Sequence, residues 1–409
     1  MTSLATLSRT FARIGILSFG GPAAQIALMH RTLVDEQKWL SEAQFLRALS
    51  FCMMLPGPEA MQLATYAGWR LRGVAGGLIA GTLFVLPGAM VIAVLALLYA
   101  EYGSAPQAQT LLLGVKACVL VIVAQALIRL SKKALTNGAD RLLAVLAFVA
   151  LYCFALPFPL IIALAALWGA LTAKPMAEEP PDQSQQTPWR TLATIAALWL
   201  APVPILHALG QDLLLSLSLF FAKLAVVTFG GAYAVLAYMT QEVTLTRHWL
   251  TAPQMIDALG MAETTPGPLT LVTQFVGMLT GHGAGGPAVA VIAGGLTLWM
   301  TFLPCFLWIF AGAPHLEALL ARPRLRGALH AITAAVVGVI ANLSLWFALN
   351  VLFGRLIQTG FGALPVLQTL HLAPLPLIAL AGLILSHKRG NVPLALAGCA
   401  TAATLGALV

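Results

Sequence analysis

Three landmarks occur twice in this chain, in the same order and at the same spacing. Phe19-Gly20-Gly21, Trp39 and Pro56-Gly57-Pro58 return as Phe229-Gly230-Gly231, Trp249 and Pro266-Gly267-Pro268, with an offset of 210 residues in each case. One offset shared by three separate motifs means internal duplication. It restricts the fold severely, because each half must carry two Gly/Pro interruptions at corresponding points of otherwise apolar segments. In a hydrophobic chain, such paired interruptions point to the binding region of a carrier built from repeats.

The surroundings of these motifs are suited to a bilayer. The 409 residues are 60% hydrophobic and only 9% charged, with a mean hydropathy of +0.90, too few charges to cover a water-soluble body of this size. Runs such as Gly73 to Ala100, Ala108 to Leu130 and Ala288 to Phe310 exceed the roughly 20 residues that cross about 30 Å of hydrocarbon as helix. There is no period-2 patterning, which argues against a barrel. The fold class expected is an all-α polytopic membrane protein. The net charge of +8 comes from basic residues scattered beside apolar segments, as the positive-inside rule places them, and not from a nucleic-acid-binding patch. The five cysteines stand singly in apolar stretches without a CxxC spacing and read as small core residues, with neither a disulfide framework nor a metal site. Arg9 and Arg13 interrupt the first apolar stretch and no small-residue cleavage site follows it, unlike a removable signal peptide. HExxH, GxSxG and Walker patterns are absent, so no catalytic residue, cofactor or metal is expected.

The chain divides at Lys174 to Pro188, a polar, Pro-rich tether. Residues 1–173 form a first repeat, 174–188 a cytoplasmic linker, 189–210 one extra membrane helix, and 211–409 a second repeat. Each repeat is read as two broken segments, two long helices and a shorter helical pair. The first long helix is entered after Arg70 and Arg72 in repeat one, but left through Arg322, Arg324 and Arg326 in repeat two, so the repeats have inverted topology. With a cytoplasmic N-terminus and linker, most Lys and Arg lie inside, Arg247 and Arg355 fall outside, and Arg13, Arg47, Lys116 and Lys223 are embedded. Arg31 and Lys38 stay inside only if the broken segments return to the side they entered, which favours re-entrant hairpins over kinked full spans.

Each break ends in a helix start. Gly20, Gly21, Gly57, Gly230, Gly231 and Gly267 permit tight reversals, and prolines such as Pro58 and Pro268 suit a first turn, where no N–H is needed; Pro56 and Pro266 open their breaks. Unpaired N–H groups and about half a positive charge per helix start, four in all, suit a divalent oxyanion. Flanking Gln25, Gln62, Thr65, Thr264, Thr265, Thr270 and Gln274 add hydrogen-bond donors. Kinking for packing alone is the competing reading. Arg13 and Lys223, equivalent by the 210 offset, Lys116, Glu59 and Glu263 are the charge or coupling candidates, with snorkelling or helix capping as the bland alternatives.

The stretches SFGGPAAQIALMH (18–30), LPGPEAMQLATYAGWRLRG (55–73), GTLFVLPG (81–88), TFGGAYAVLAYM (228–239) and AETTPGPLTLVTQFVG (262–277) resemble the chromate ion transporter (CHR) family, long two-repeat type. The second half reads FGGA where the first reads FGGP, so its symmetry is inexact. The resemblance implies export of chromate across a bacterial inner membrane, conferring resistance. A sulfate-like oxyanion exchanger or uptake carrier is the alternative. The expected partners are a small oxyanion, protons as a candidate coupling ion and the lipid bilayer, with the chain acting as a monomer or a homodimer and without nucleic acid.

Overall fold

The computed structural model describes residues 2–173, 187–229, 231–359, 362–387 and 392–407. Gly230, residues 174–186 of the expected linker, and the basic pair Lys388 and Arg389 lie outside the described residues.

The first repeat contains α1 (Leu4–Leu17), α2 (Gly21–His30), a π-turn (Arg31–Glu36), α3 (Glu42–Cys52), α4 (Glu59–Tyr102), α5 (Pro106–Ala134), α6 (Gly138–Tyr152) and α7 (Phe158–Thr172). Two short helices, α8 (Trp189–Leu200) and α9 (Pro202–Ala208), follow. The second repeat contains α10 (Asp212–Val227), α11 (Ala232–Gln241), a π-turn (Glu242–Thr246), α12 (Ala252–Thr264), a 3-10 turn (Leu269–Leu271), α13 (Val272–Gly312), α14 (Leu316–Ala321) and α15 (Pro323–Leu352). A hairpin, β1 (Leu356–Thr359) with β2 (Gly362–Pro365), then precedes α16 (Pro374–Ser386) and α17 (Val392–Gly406). The hairpin is a local addition to the expected all-helical pattern.

The duplication extends to details of capping. Ser41 and Gln44 form a reciprocal capping box at the start of α3, and Thr251 and Gln254 make the same bonds before α12, at 2.9 and 3.4 Å. Each box satisfies helix-end donors that would otherwise be unpaired. Both π-turns also fall at equivalent places.

Within both α4 and α13 two helical arms meet at a break where the chain reverses direction. Arg72 and Gly73 (φ 62°, ψ −154°) interrupt α4, while Gly285 and Gly286 (φ 73°, ψ −164°) interrupt α13. Both glycines occupy a region closed to residues with a side chain. In a straight helix residues eight apart would be about 12 Å apart, yet a Cβ on Gly68 would collide with the Gly76 carbonyl oxygen. The short arm 59–71 therefore folds back on the arm after Gly73, the two meeting through Gly68, Gly76 and Ala80. In α13 the equivalent contact uses Gly277 and Gly281 against Thr297 and Ala293.

Among the described residues, five helical stretches are long and apolar enough to cross a membrane: Glu59–Tyr102, Pro106–Ala134, Trp189–Ala208, Leu269–Ala321 and Pro323–Leu352. Shorter apolar helices are Phe158–Thr172, Pro374–Ser386 and Val392–Gly406. The chain is an all-α, multi-pass membrane protein with two repeats, and Trp189–Ala208 occupies the place of the expected extra helix.

Two compact units divide the chain, and each takes residues from both repeats. The first comprises residues 1–97, 175–235 and 265–323; the second comprises 98–174, 236–264 and 324–409. In the first, α8 and α10 pack on α13. Trp199 donates its indole N–H to the Met300 carbonyl at 3.0 Å and Trp299 donates to Leu198 at 2.9 Å. In the second, α5 is covered by α12, α16 and α17, with Gly114 fitted so closely against the Cys399 backbone that a Cβ would collide.

Candidate functional site

All four breaks lie in the first compact unit, and each completes another. At the first break α1 ends at Leu17, and Gly20 (φ 85°) and Gly21 (φ 77°) turn the chain so that Pro22 enters the first turn of α2. At the second, Gly57 (φ 117°) precedes Pro58 and the start of α4 at Glu59. In repeat two, Gly231 (φ 94°) precedes α11, and Gly267 (φ 88°) precedes Pro268 and the 3-10 turn leading into α13. The Gly57 N–H donates to the Thr228 carbonyl at 3.0 Å, and the Gly267 N–H donates to the Ser18 carbonyl at 2.9 Å. Each PGP turn of one repeat is thus bonded to the residue ahead of the FGG turn in the other.

Side chains hold these turns. Ser18 and Thr228 return their hydroxyls to their own helices, on Ile14 and Leu224. Gln25 Nε2 donates to the Gly267 carbonyl at 2.6 Å, Gln62 Nε2 to the Pro56 carbonyl at 2.7 Å, and Gln274 Nε2 to the Ala89 carbonyl at 3.0 Å. All three glutamines are buried. The Gln25 and Gln62 amides thus bond carbonyls of the turns, and the Gln274 amide a carbonyl within α4. Thr65 donates to the Met61 carbonyl. Thr270 Oγ1 is buried and unpartnered. Thr265, Pro56 and Pro266 are buried within the turns.

A small pocket, with a cavity volume of about 10 Å³, sits where the four helix starts meet. Pro22 and Gln25 come from α2, Pro58, Glu59 and Ala60 from α4, Ala232 from α11, and Pro268 and Leu269 from the turn before α13. Four helix N-termini around one cavity contribute on the order of two positive charges of dipole. Among the described residues, Glu59 is the one ionisable residue of that lining, and its carboxylate oxygen is 3.5 Å from where a Cβ on Gly231 would lie. The equivalent position in repeat two is Leu269, so a pseudo-symmetric frame contains a single acid. Pro22, Ala60, Ala232 and Leu269 were not among the expected site residues; they carry no polar signal, but applying the 210 offset to Pro22 and Glu59 leads to Ala232 and Leu269.

The remaining candidates lie elsewhere. Arg13 and Lys223 are exposed, on the faces of α1 and α10 opposite their buried residues. Lys116, Glu263 and Thr264 belong to the second unit. There Lys116 Nζ pairs with Asp257 Oδ1 at 3.1 Å, and the Tyr99 hydroxyl donates to Asp257 Oδ2 at 2.8 Å. Lys116 is therefore neutralised by a carboxylate from within the chain. Glu263 is buried, and Thr264 donates to the Met261 carbonyl. Among the described residues no group of three His, Cys, Asp or Glu side chains is arranged to hold a metal.

Comparison with known proteins adds the family. The sequence profile described as chromate transporter matches residues 5–170 and 215–404, one match per repeat. The chromate transport protein of Cupriavidus metallidurans is 29% identical over 409 residues, covering 97% of this chain and 92% of the relative. A probable chromate transport protein of Synechococcus elongatus is 31% identical over 393 residues (95% and 91%), and the chromate transport protein of Pseudomonas aeruginosa is 34% identical over 350 residues (81% and 77%). No solved structure matches the chain. The paired FGG and PGP turns thus lie within two matched repeats, and the chain belongs to the chromate transporter family.

Proposed function

We propose that this protein is a secondary transporter that carries chromate out of a bacterial cytoplasm across the inner membrane, conferring chromate resistance, with the anion bound where the four helix starts meet. The observation that carries the reading is that all four duplicated breaks line one cavity. Helix N-termini are anion sites by virtue of free N–H groups and dipole, and irregular backbone at membrane depth is tolerated where it is buried or lines such a cavity. The substrate contacts are the backbone at Gly20, Gly21, Gly57, Gly231 and Gly267 and the first turns after them.

The repeats are inverted, and rocking of one against the other exposes the site alternately to each side. The N-terminus and linker are cytoplasmic. Export of a dianion from a negative interior is electrically downhill, by about 4.6 kcal/mol at 100 mV, or roughly three powers of ten in concentration. Membrane potential is therefore a sufficient drive. Glu59 modulates it, since a carboxylate among the helix starts repels a dianion when ionised and admits it when protonated.

Chromate uptake into inside-out vesicles, with an imposed inside-positive potential and with sulfate as competitor, tests the reading. Potential-dependent flux above protein-free vesicles is expected. No flux would remove the chromate assignment, and complete inhibition by equimolar sulfate, with sulfate itself transported faster, would reassign the substrate.

A further inference from the structure

Three helix ends, drawn from both repeats, converge within the second compact unit. The hub is Asp140, which is only 3% exposed. Its Oδ2 accepts from the Thr136 N–H at 3.0 Å, the Thr136 hydroxyl at 2.8 Å and the Asn137 N–H at 3.2 Å, which fixes the turn between α5 and α6. Its Oδ1 meets Nε2 of His330, on α15, at 2.9 Å. Further along, α6 and α15 touch directly, since a Cβ on Gly338 would collide with the Ala144 carbonyl. Ala134 of α5 shares one buried cluster with Ala144 and Val337. Both oxygens of Asp140 are thus taken up in tying the three ends together.

The surface of this junction is positive. Arg129, Lys132 and Lys133 at the end of α5, Arg141 near the start of α6, and Arg324 and Arg326 at the start of α15 are all exposed. Residues 129, 132 and 133 stand three and four apart, so they share one helix face. No acid nearby in sequence offsets them: Asp140 is the only Asp or Glu from 102 to 173, and none follows Glu317. The other acids of the unit are accounted for elsewhere. Glu242 pairs with Arg247 and Asp257 with Lys116, Glu263 is buried, and Glu101 adjoins the opposite end of α5. Beside the cations the surface turns apolar, with Ile128, Leu142, Val145 and Leu146 each more than half exposed. Residues 142, 145 and 146 form one strip along α6 next to Arg141.

We infer that this junction binds an anionic phospholipid, its phosphodiester against the lysines and arginines and its chains along the apolar strip of α6. Clusters of Lys and Arg at the membrane ends of helices attract anionic headgroups, and guanidinium forks match phosphate geometry. A soluble phosphate shares the headgroup's charge, but it would leave the strip beside Arg141 uncovered. The lipid site is independent of which anion the protein carries.

Full-length protein in maltoside micelles is titrated with phosphatidylglycerol and with phosphatidylcholine of the same chains, and the first bound lipid is followed by native mass spectrometry. One Lys or Arg near a lipid headgroup accounts for about fivefold in affinity, so three such cations give phosphatidylglycerol a preference of about a hundredfold. The combined Lys132→Gln, Lys133→Gln and Arg141→Gln variant is expected to lose most of that preference. Arg9→Gln, Arg190→Gln and Arg355→Gln together remove the same charge from exposed positions elsewhere and are expected to keep it. Equal affinity of the wild type for the two lipids, or equal loss in the two triple variants, overturns the inference. Displacement of phosphatidylglycerol by an equal concentration of glycerol 3-phosphate also overturns it, because the site would then be one for a soluble anion.

Discussion

The amide of Gly57 donates to the carbonyl of Thr228 at 3.0 Å, and 210 residues further along the amide of Gly267 returns the bond to Ser18 at 2.9 Å. At Gly57 φ is +117° and a Cβ would lie 3.0 Å from Cys305 Sγ and 3.1 Å from Gln62 Nε2; at Gly267 φ is +88° and Leu271 would be 3.1 Å away. Gly57→Ala and Gly267→Ala are each expected to cost about 1–3 kcal/mol through backbone strain and to depress chromate flux. Gly138→Ala, with open space around it at the start of α6, serves as the control. Thermal unfolding in detergent checks the ranking, and a Gly57 variant as stable and active as the control would contradict it.

Glu59 sets the pH response if it shares the anion's cavity. Glu59→Gln removes one negative charge from among the helix starts and is expected to lower the KM for chromate by about tenfold at neutral pH, a modest estimate for charges several ångströms apart. The pH dependence of transport should flatten at the same time. Leu269→Glu, at the equivalent position, should have the opposite effect on KM. Flux measured between pH 5 and 8 decides the matter, and an unaltered profile in Glu59→Gln would exclude this residue.

In the Lys116–Asp257 pair the carboxylate is buried and the ammonium largely so, with side-chain exposures of 1% and 14%. Removing one partner leaves an uncompensated charge, at a cost of about 3–5 kcal/mol. Lys116→Met and Asp257→Asn alone should therefore reduce the yield of folded protein, and the double variant should recover most of it. Size-exclusion profiles of the three proteins provide the check; additive losses in the double variant would show that the two residues act independently.

Asp35 and Leu245 are equivalent positions, both exposed, in the π-turns of the two repeats. Inverted repeats with returning hairpins require Asp35→Cys to react with a membrane-impermeant maleimide only from the cytoplasm and Leu245→Cys only from outside. Labelling of both from the same side would rule out inversion, and external labelling at position 35 would rule out the hairpin.

The repeat offset carried much of this architecture in plain view. It placed the breaks between α1 and α4 and between their partners α10 and α13, because Gly and Pro act locally and recur at fixed spacing. The helix starts at Gly73 and Gly286 were also legible, though the fold-back there rests on glycine-to-glycine contact that spacing alone does not reveal. Long-range pairings were hidden: Lys116 and Asp257 belong to different repeats, and nothing local to either names the other. The role of Gln25 was hidden for the same reason, since its amide bonds a carbonyl 242 residues away. The outward placement of Arg13 was available from α1 itself, whose buried positions Leu7, Phe11 and Ile14 define one stripe and leave residue 13 on the other face.

The exchanged bonds between the PGP and FGG turns mean that neither half can finish its own turns. A chain cut within residues 174–188 should regain its fold when both pieces are made together, each serving as the template on which the other closes, while either piece alone would leave an amide at Gly57 or Gly267 with no acceptor. Duplication in this protein has made two copies that no longer have separate careers: a change at Ser18 is felt at Gly267, and one at Thr228 is felt at Gly57.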